Sequence, residues 1–139
     1  MKVRTYLNYG GNCEEAFRFY EQHLGGKITA VHTWSQMPGD SSQTPPGWQN
    51  KVMHARLDLG DSELLGSDVP PDRFQPMRSV SLSISADSTP EAERIFQILS
   101  EGGEVIMPMQ ETFFAFRFGM LRDKFGTPWM ILHERGAMG

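Results

Sequence analysis

The sequence has little of what a secreted, membrane or nucleic-acid-binding protein requires. It has one cysteine, Cys13, which excludes an internal disulfide and favours a reducing compartment. No apolar run reaches the length of a membrane span, and the first residues, MKVRTYLNY, lack the apolar region of a signal peptide. The net charge of −4 argues against a nucleic-acid or acidic-membrane binder, which needs a basic face. We therefore expect a cytoplasmic protein with neither a nucleic-acid nor a membrane partner.

What is present is typical of a soluble globular protein, with 39% hydrophobic and 22% charged residues. A length of 139 residues predicts one domain, 1–139, because the chain is too short for two independent cores. Period-2 runs alternate with two helical patterns, which predicts an α+β fold. The predicted strands span residues 3–9, 27–35, 51–59, 62–67, 79–85, 104–110, 114–121 and 128–133.

The two helices are predicted from apolar residues at helical spacing and from the residues at their ends. Asn12, with Glu15 three residues later, predicts the N-cap of the first helix, and Gly25 predicts its end. Ser88 or Thr89 caps the second helix. Each helix therefore follows the first strand of its half of the chain.

Residues 37–50, MPGDSSQTPPGWQN, contain three prolines and two glycines and predict a long surface loop. Two interpretations stay open. The loop is either a lid or partner contact anchored by Trp48, or a flexible excursion with that indole tucked in.

The chain also repeats itself. The segment NCEEAFRFYEQHLGGKI matches STPEAERIFQILSEGGEV at a period of about 76 residues. This predicts two copies of a βαβββ module, about 1–70 and about 77–135, neither of which buries its apolar face alone.

The stretch from Arg117 to His133, RFGMLRDKFGTPWMILH, predicts a strand, a tight turn and a strand. Asp123 and Gly126 supply the turn chemistry, because glycine adopts positive φ without strain, and Pro128 fixes the exit.

This hairpin resembles the closing hairpin of the vicinal-oxygen-chelate superfamily, which includes glyoxalase I, bleomycin- and fosfomycin-resistance proteins and extradiol dioxygenases. Three further stretches are similar to the PhnB-like branch, which carries a demethylubiquinone methyltransferase label: TYLNYGGN with EEAFRFYEQHLGG, VMHARLDLGDSELLGSDVPP, and MPMQETFFAFRFGMLRDKFGTPWMI. The resemblance implies two tandem βαβββ modules whose curved mixed sheets surround a concave ligand cleft. It also implies a homodimer.

In metal-using members of the superfamily, four strand positions supply His, Glu or Gln ligands. The resemblance places those positions near Arg4 or Thr5, within residues 63–67 where Glu63 is the strong donor, at Ser79 and at Met130. A thioether and a neutral hydroxyl are weak ligands for Zn²⁺, Ni²⁺ or Mg²⁺. We therefore predict that the usual metal site is absent and that there is no cofactor. The usual methyl-donor site is not predicted either, because no glycine-rich loop of the required spacing is present.

The candidate ligand-binding residues are polar or soft side chains on strands that border the implied cleft: Tyr6, Asn8, His54, Arg56, Ser79, Gln110, Phe118 and Met130. His54 is either a polar contact or weak acid–base group, or a hydrogen-bonded structural histidine. Asn8 either orients a ligand or ties down the following Gly10-Gly11 turn. Cys13 is expected to be inert.

Three functions remain open at this point. The first is metal-independent binding of a small, partly aromatic molecule, in the manner of bleomycin-resistance proteins. The second is a lyase, isomerase or dioxygenase with altered ligands that uses His54 or Glu63. The third is a structural or regulatory dimer with a vestigial cleft.

Overall fold

The computed structural model describes residues 1–36 and 44–136, and its architecture is α+β, as predicted. The chain divides into two compact units, Met1–Pro76 and Met77–Gly139. Each contains a strand, a helix and three further strands in that order, which agrees with the internal repeat. The treatment of 1–139 as one domain stays a prediction.

The first unit contains β1, α1, β2, β3 and β4, with a short 3₁₀ turn after β2. Their bounds are Thr5–Tyr9, Cys13–Leu24, Lys27–Thr33, Val52–Asp58 and Glu63–Asp68, and the 3₁₀ turn is Trp34–Gln36. The strands form a four-stranded sheet in the order β1-β4-β3-β2, in which β1 and β4 are parallel and the other pairs antiparallel.

Helix α1 packs against one face of this sheet. Gly66 of β4 permits the close approach, since a Cβ there would lie 2.7 Å from the Phe17 ring and 3.2 Å from Cys13 Sγ. The core between helix and sheet is fully buried at Ala16, Phe17, Tyr20 and Leu57. The helix ends at Gly25 with φ 79°, as predicted, because glycine takes this left-handed conformation at low cost.

Asn12 occupies the N-cap position of α1, as predicted, but the side-chain hydrogen bond expected of a capping residue is missing. The carboxylate of Asp68, at the end of β4, instead accepts the backbone N–H groups of Gly11 and Cys13 through Oδ1, at 3.0 and 2.9 Å. Its Oδ2 accepts the N–H of Val52 at 2.9 Å. One buried carboxylate therefore joins three chain segments.

The second unit contains β5, α2, β6, β7 and β8. Their bounds are Leu82–Ser85, Thr89–Ser100, Glu104–Gln110, Ala115–Arg122 and Pro128–Glu134. The sheet order is β5-β8-β7-β6, with β5 and β8 parallel. Ser88 caps α2, because its side chain accepts the N–H of Glu91 at 3.2 Å. The helix packs where Gly119 leaves room for the Phe96 ring, 2.7 Å from a Cβ built there.

The predicted closing hairpin is confirmed. Asp123 N–H donates to the Thr127 carbonyl at 2.9 Å, and Gly126 has φ 94°. The buried Asp123 carboxylate also accepts the Trp129 indole N–H at 2.8 Å. The turn is therefore fixed from inside by a second buried aspartate.

Within the predicted loop, residues 37–43 lie outside the described residues. Trp48 is half-buried, and its ring lies edge-on to that of Trp34, 6.3 Å between centroids. This contact fits the tucked-indole interpretation. Across residues 1–36 and 44–136, no helix has the length and apolarity to cross a membrane.

Candidate functional site

The face of the first sheet that is opposite α1 is rich in polar side chains, and we call it the polar face. In the register, Tyr6 and Arg56 both lie opposite Leu65, Asn8 lies opposite Ser67, and His32 lies opposite His54. Directly paired residues point to the same side of a sheet, and so do residues two apart on one strand. The polar face therefore comprises Tyr6, Asn8, Ala30, His32, His54, Arg56, Asp58, Glu63, Leu65 and Ser67. Four of the predicted ligand residues, Tyr6, Asn8, His54 and Arg56, are brought together here.

Three rings form a row across the polar face. The centroids of Tyr6 and His54 are 6.2 Å apart, and those of His54 and His32 are 6.4 Å apart with an interplanar angle of 20°. Neither imidazole makes a hydrogen bond to another residue of 1–36 or 44–136. His54 is therefore not a hydrogen-bonded structural histidine within that part of the chain. His32 lies on β2, the edge strand of the sheet, and alternates in phase with Ala30, which lies opposite Arg56.

Asn8 does not tie down the glycine turn that follows it. Its Oδ1 lies 3.5 Å from the hydroxyl of Ser67, which donates to it across the β1–β4 pair. Asn8 is exposed, while Ser67 is buried. The amide therefore stands at the accessible end of the polar face.

A cluster of charges lies at the other end of the polar face. Glu63 Oε1 lies 2.8 Å from Arg4 Nε and 3.7 Å from Lys2 Nζ, and its Oε2 lies 3.6 Å from Arg56 Nε. A cavity of about 320 Å³ opens beside this cluster, bordered by Lys2, Arg4, Thr5, Asp58, Asp61 and Glu63. The cavity lies at the end of the sheet and not over its ring row.

The corresponding face of the second sheet is apolar, and we call it the methionine face. Phe118 lies opposite both Gln110 and Leu132, and Met120 lies opposite both Met107 and Met130. The buried residues Ala115, Phe118 and Leu132 form a cluster, against which Met107, Phe114, Met120 and Met130 pack while partly buried. The rings of Phe114 and Phe118 meet edge-on at 5.3 Å. Three predicted ligand residues, Gln110, Phe118 and Met130, therefore share this face.

The placement of Ser79 on a strand is wrong. Strand β5 begins at Leu82, opposite Trp129, and Ser79 is exposed with φ 58°. The residue of β8 that precedes Trp129 is Pro128, which has no N–H to extend the ladder. The alternation of serines in the sequence therefore begins before Leu82, where the pairing of β5 with β8 starts.

The residues at the positions where the resemblance implies metal ligands lie in different surroundings. Glu63 is engaged by cations, Ser79 lies outside the sheet, and Met130 is packed among apolar side chains. No group of three or more His, Cys, Asp or Glu side chains in residues 1–36 and 44–136 is arranged to hold an ion.

Cys13 is fully buried at the start of α1. Burial, with smaller contributions from the negative charges of Asp68 and Glu14, raises the pKa of its thiol far above the usual range. The thiol therefore stays protonated, which supports the prediction that it is inert.

Comparison with known proteins agrees with this fold. Residues 1–132 match the family model described as 3-demethylubiquinone-9 3-methyltransferase. The chain is 33% identical over 138 residues to protein YjdN of Escherichia coli K12, covering 94% of each.

Among solved structures, protein PA1353 of Pseudomonas aeruginosa is 42% identical, with a TM-score of 0.87 over 96% of this chain and 98% of that one. A PhnB protein from Bacillus cereus is 26% identical, with a TM-score of 0.79 over 96% and 99% of the two chains. A glyoxylase/bleomycin resistance protein/dioxygenase domain from Frankia shares the fold, at 18% identity and a TM-score of 0.64 over 99% and 93%.

Proposed function

Since the chain belongs to the 3-demethylubiquinone-9 3-methyltransferase family, a PhnB-like branch of the glyoxalase/bleomycin-resistance/dioxygenase superfamily, we propose that it binds a small, partly aromatic molecule without the superfamily's divalent metal. We also propose that it works as a cytoplasmic homodimer. The cleft that the family resemblance implies stays a prediction.

The observation that carries the proposal is the methionine face. Within the described residues of the second unit, α2 packs on the opposite side of the sheet and no helix covers the side chains of Met107, Met120 and Met130. Methionine is unbranched and polarizable, and it makes favourable contacts with aromatic rings. A surface of methionine side chains therefore adapts to an apolar ligand more readily than a surface of rigid aliphatic side chains does.

The chemistry of the donor set supports metal independence. Met130 would offer a thioether to a hard or borderline cation, and Ser79 a neutral hydroxyl from outside the strand. Glu63 would have to leave Arg4 at 2.8 Å before it could bind a metal. The residues present do not fit a divalent metal ion.

We do not propose methyl transfer, in spite of the family description. The usual methyl-donor site follows the first strand of a doubly wound parallel sheet and needs a glycine-rich loop. In the described residues, each sheet is mixed and four-stranded, with one parallel pair. The sequence contains no loop of that spacing.

The enzyme hypothesis retains one supporting observation. The His54 imidazole is half-buried beside Tyr6 and has no hydrogen-bond partner in the described part of the chain, so it is available to a ligand. Glu63 is a weaker candidate for a catalytic base, because three cations share its carboxylate. A structural dimer with a vestigial cleft remains a third candidate.

The test is a ligand screen read by the methyl resonances of the nine methionines in carbon-13-labelled protein. We expect at least one class of aromatic compound to shift the signals of Met107, Met120 and Met130 while leaving those of Met53 and Met77 in place. A Met130→Gln variant should weaken that ligand about tenfold, because an amide replaces an apolar contact of similar length.

The matched control is Met77→Gln, at a half-buried methionine in the connector before β5. It should leave the affinity unchanged. A library of aromatic compounds that shifts none of the three signals, or an equal loss in both variants, would contradict the proposal.

A further inference from the structure

Arg56 is a cation on the polar face whose hydrogen-bonding groups are only partly engaged. Its side chain is 41% exposed, yet its Nε is shielded from solvent and has no hydrogen-bond partner in the described residues. The nearest acid is Glu63, whose Oε2 lies 3.6 Å from Nε, which is too far for a hydrogen bond. A guanidinium has five N–H donors in a rigid fork, so an arginine in this position has unused capacity.

The carboxylate of Glu63 does not neutralise Arg56, because it is shared. It lies closer to Arg4, at 2.8 Å, and Lys2 is also within 3.7 Å. Two further acids border the cavity at this end of the sheet. Asp58 accepts the N–H of Gly60 through Oδ1 at 2.8 Å, and Asp61 lies on the turn that follows. Arg4 therefore has a closer acid than Arg56 has, and Lys2 and Arg56 lie at similar distances from the same carboxylate.

The surroundings of Arg56 leave room for a ligand group. The residue opposite it on β2 is Ala30, whose side chain is a single methyl group, and the Arg56 side chain is 41% exposed. His54 lies two residues earlier on the same strand, and its ring belongs to the row formed with Tyr6 and His32. A flat, unsaturated body fits the faces or edges of such a row, and a planar oxyanion fits the fork of the arginine.

We propose that the polar face selects an oxyanion, either a carboxylate or a phosphate-type group, on a flat unsaturated molecule, with Arg56 as the residue that recognises the anion. The proposal rests on the binding function above and names the chemical class of the group bound at this face. Glu63 competes with that group for Arg56, so its negative charge sets how tightly the anion is held.

The test uses matched probes in titrations followed by the Nε–H resonance of Arg56 in nitrogen-15-labelled protein. Benzoate and benzamide differ in charge but hardly in shape. Benzoate and phenyl phosphate distinguish a carboxylate from a phosphate group, and inorganic phosphate tests whether the flat body is needed. Each is titrated to about 10 mM, where even a millimolar site is mostly filled. We expect benzoate or phenyl phosphate to bind about tenfold or more tightly than benzamide, the value of a charge-assisted hydrogen bond.

Three variants separate recognition from folding, and because two of them lack the Arg56 Nε–H, binding to every variant is followed by the ring resonances of Tyr6 and His54. Arg56→Gln should abolish the preference for the anion, and Arg56→Lys should retain only part of it, because lysine keeps the charge without the fork. Glu63→Gln should tighten anion binding severalfold, since a competing carboxylate is removed. The control is Arg18→Gln, on α1 at the far side of the sheet, where Arg18 pairs with Glu14 at 2.7 Å; it should change nothing.

Equal affinity for benzoate and benzamide, an unchanged preference in Arg56→Gln, or no saturable response of the Arg56 resonance to any anion would overturn the inference. The methionine methyl signals distinguish this result from failure of the proposed function. If they shift with neutral aromatic probes while Arg56 stays silent, small-molecule binding stands and oxyanion selection does not.

Discussion

Replacing Asp68 should destabilise the protein more than any other single charge removal in the first sheet. The carboxylate is 2% exposed and accepts three backbone N–H groups, from Gly11, Cys13 and Val52, at 2.9 to 3.0 Å. Hydrogen bonds to a charged group contribute about 1.5–3 kcal/mol each, and an unsatisfied buried donor costs about 1–3 kcal/mol. The three bonds together fix the start of α1, the end of β4 and the entry to β3.

The Asp68→Asn variant keeps the size of the side chain. Its amide oxygen can still accept the two N–H groups that Oδ1 now accepts, but its amide nitrogen then faces the N–H of Val52. We expect a loss of about 2–4 kcal/mol in the free energy of unfolding, from one lost charged bond and one donor facing another. Because domains of this size are stable by only about 5–15 kcal/mol, the change should be plain in a urea titration.

The matched control is Asp58→Asn in the same sheet. Asp58 is exposed and accepts only the N–H of Gly60, so its replacement should cost less than about 1 kcal/mol. If Asp68→Asn unfolds at the same urea concentration as Asp58→Asn, the buried carboxylate does not hold the unit together and the reasoning fails.

Three other predictions concern the interior. Gly66→Ala should cost about 1–3 kcal/mol in urea unfolding, because the added Cβ would lie 2.7 Å from the Phe17 ring; a native-like midpoint would show that the helix moves away at little cost. Cys13 should resist Ellman's reagent at alkaline pH in the native state and react at once in urea, since burial raises its thiol pKa; rapid native labelling would contradict this. Asp123→Asn should cost about 2 kcal/mol and change the near-ultraviolet signal of Trp129, whose indole N–H it accepts at 2.8 Å; an unaltered spectrum and midpoint would argue against a structural role.

The alternation of side chains was enough to place most of the candidate residues. His54 and Arg56 alternate with the buried Ala55 and Leu57, and this pattern alone put the two polar side chains on one face. The repeat of strand, helix and strands predicted the element order because each copy carries its own turn and cap signals. The sequence therefore predicts well those elements whose signals lie within a few neighbouring residues.

Features that depend on register or on distant partners could not be predicted in this way. Asp68 caps a helix 55 residues away, and the local pattern offered Asn12 as a better candidate. The pairing of His32 with His54 depends on irregularities in the β2–β3 register, which no single-strand pattern reveals. Ser79 was misplaced because the end of a strand is set by its partner, here Pro128, and not by its own alternation.

The central claim is that this chain binds a small, partly aromatic molecule without a divalent metal. The most direct measurement is the affinity of a ligand found in the methionine-methyl screen, determined by titration calorimetry on chelator-treated protein and again after Zn²⁺, Ni²⁺ or Mn²⁺ is restored. The dissociation constant should be the same in every case. Binding that disappears with the chelator and returns with one of these ions would contradict the claim.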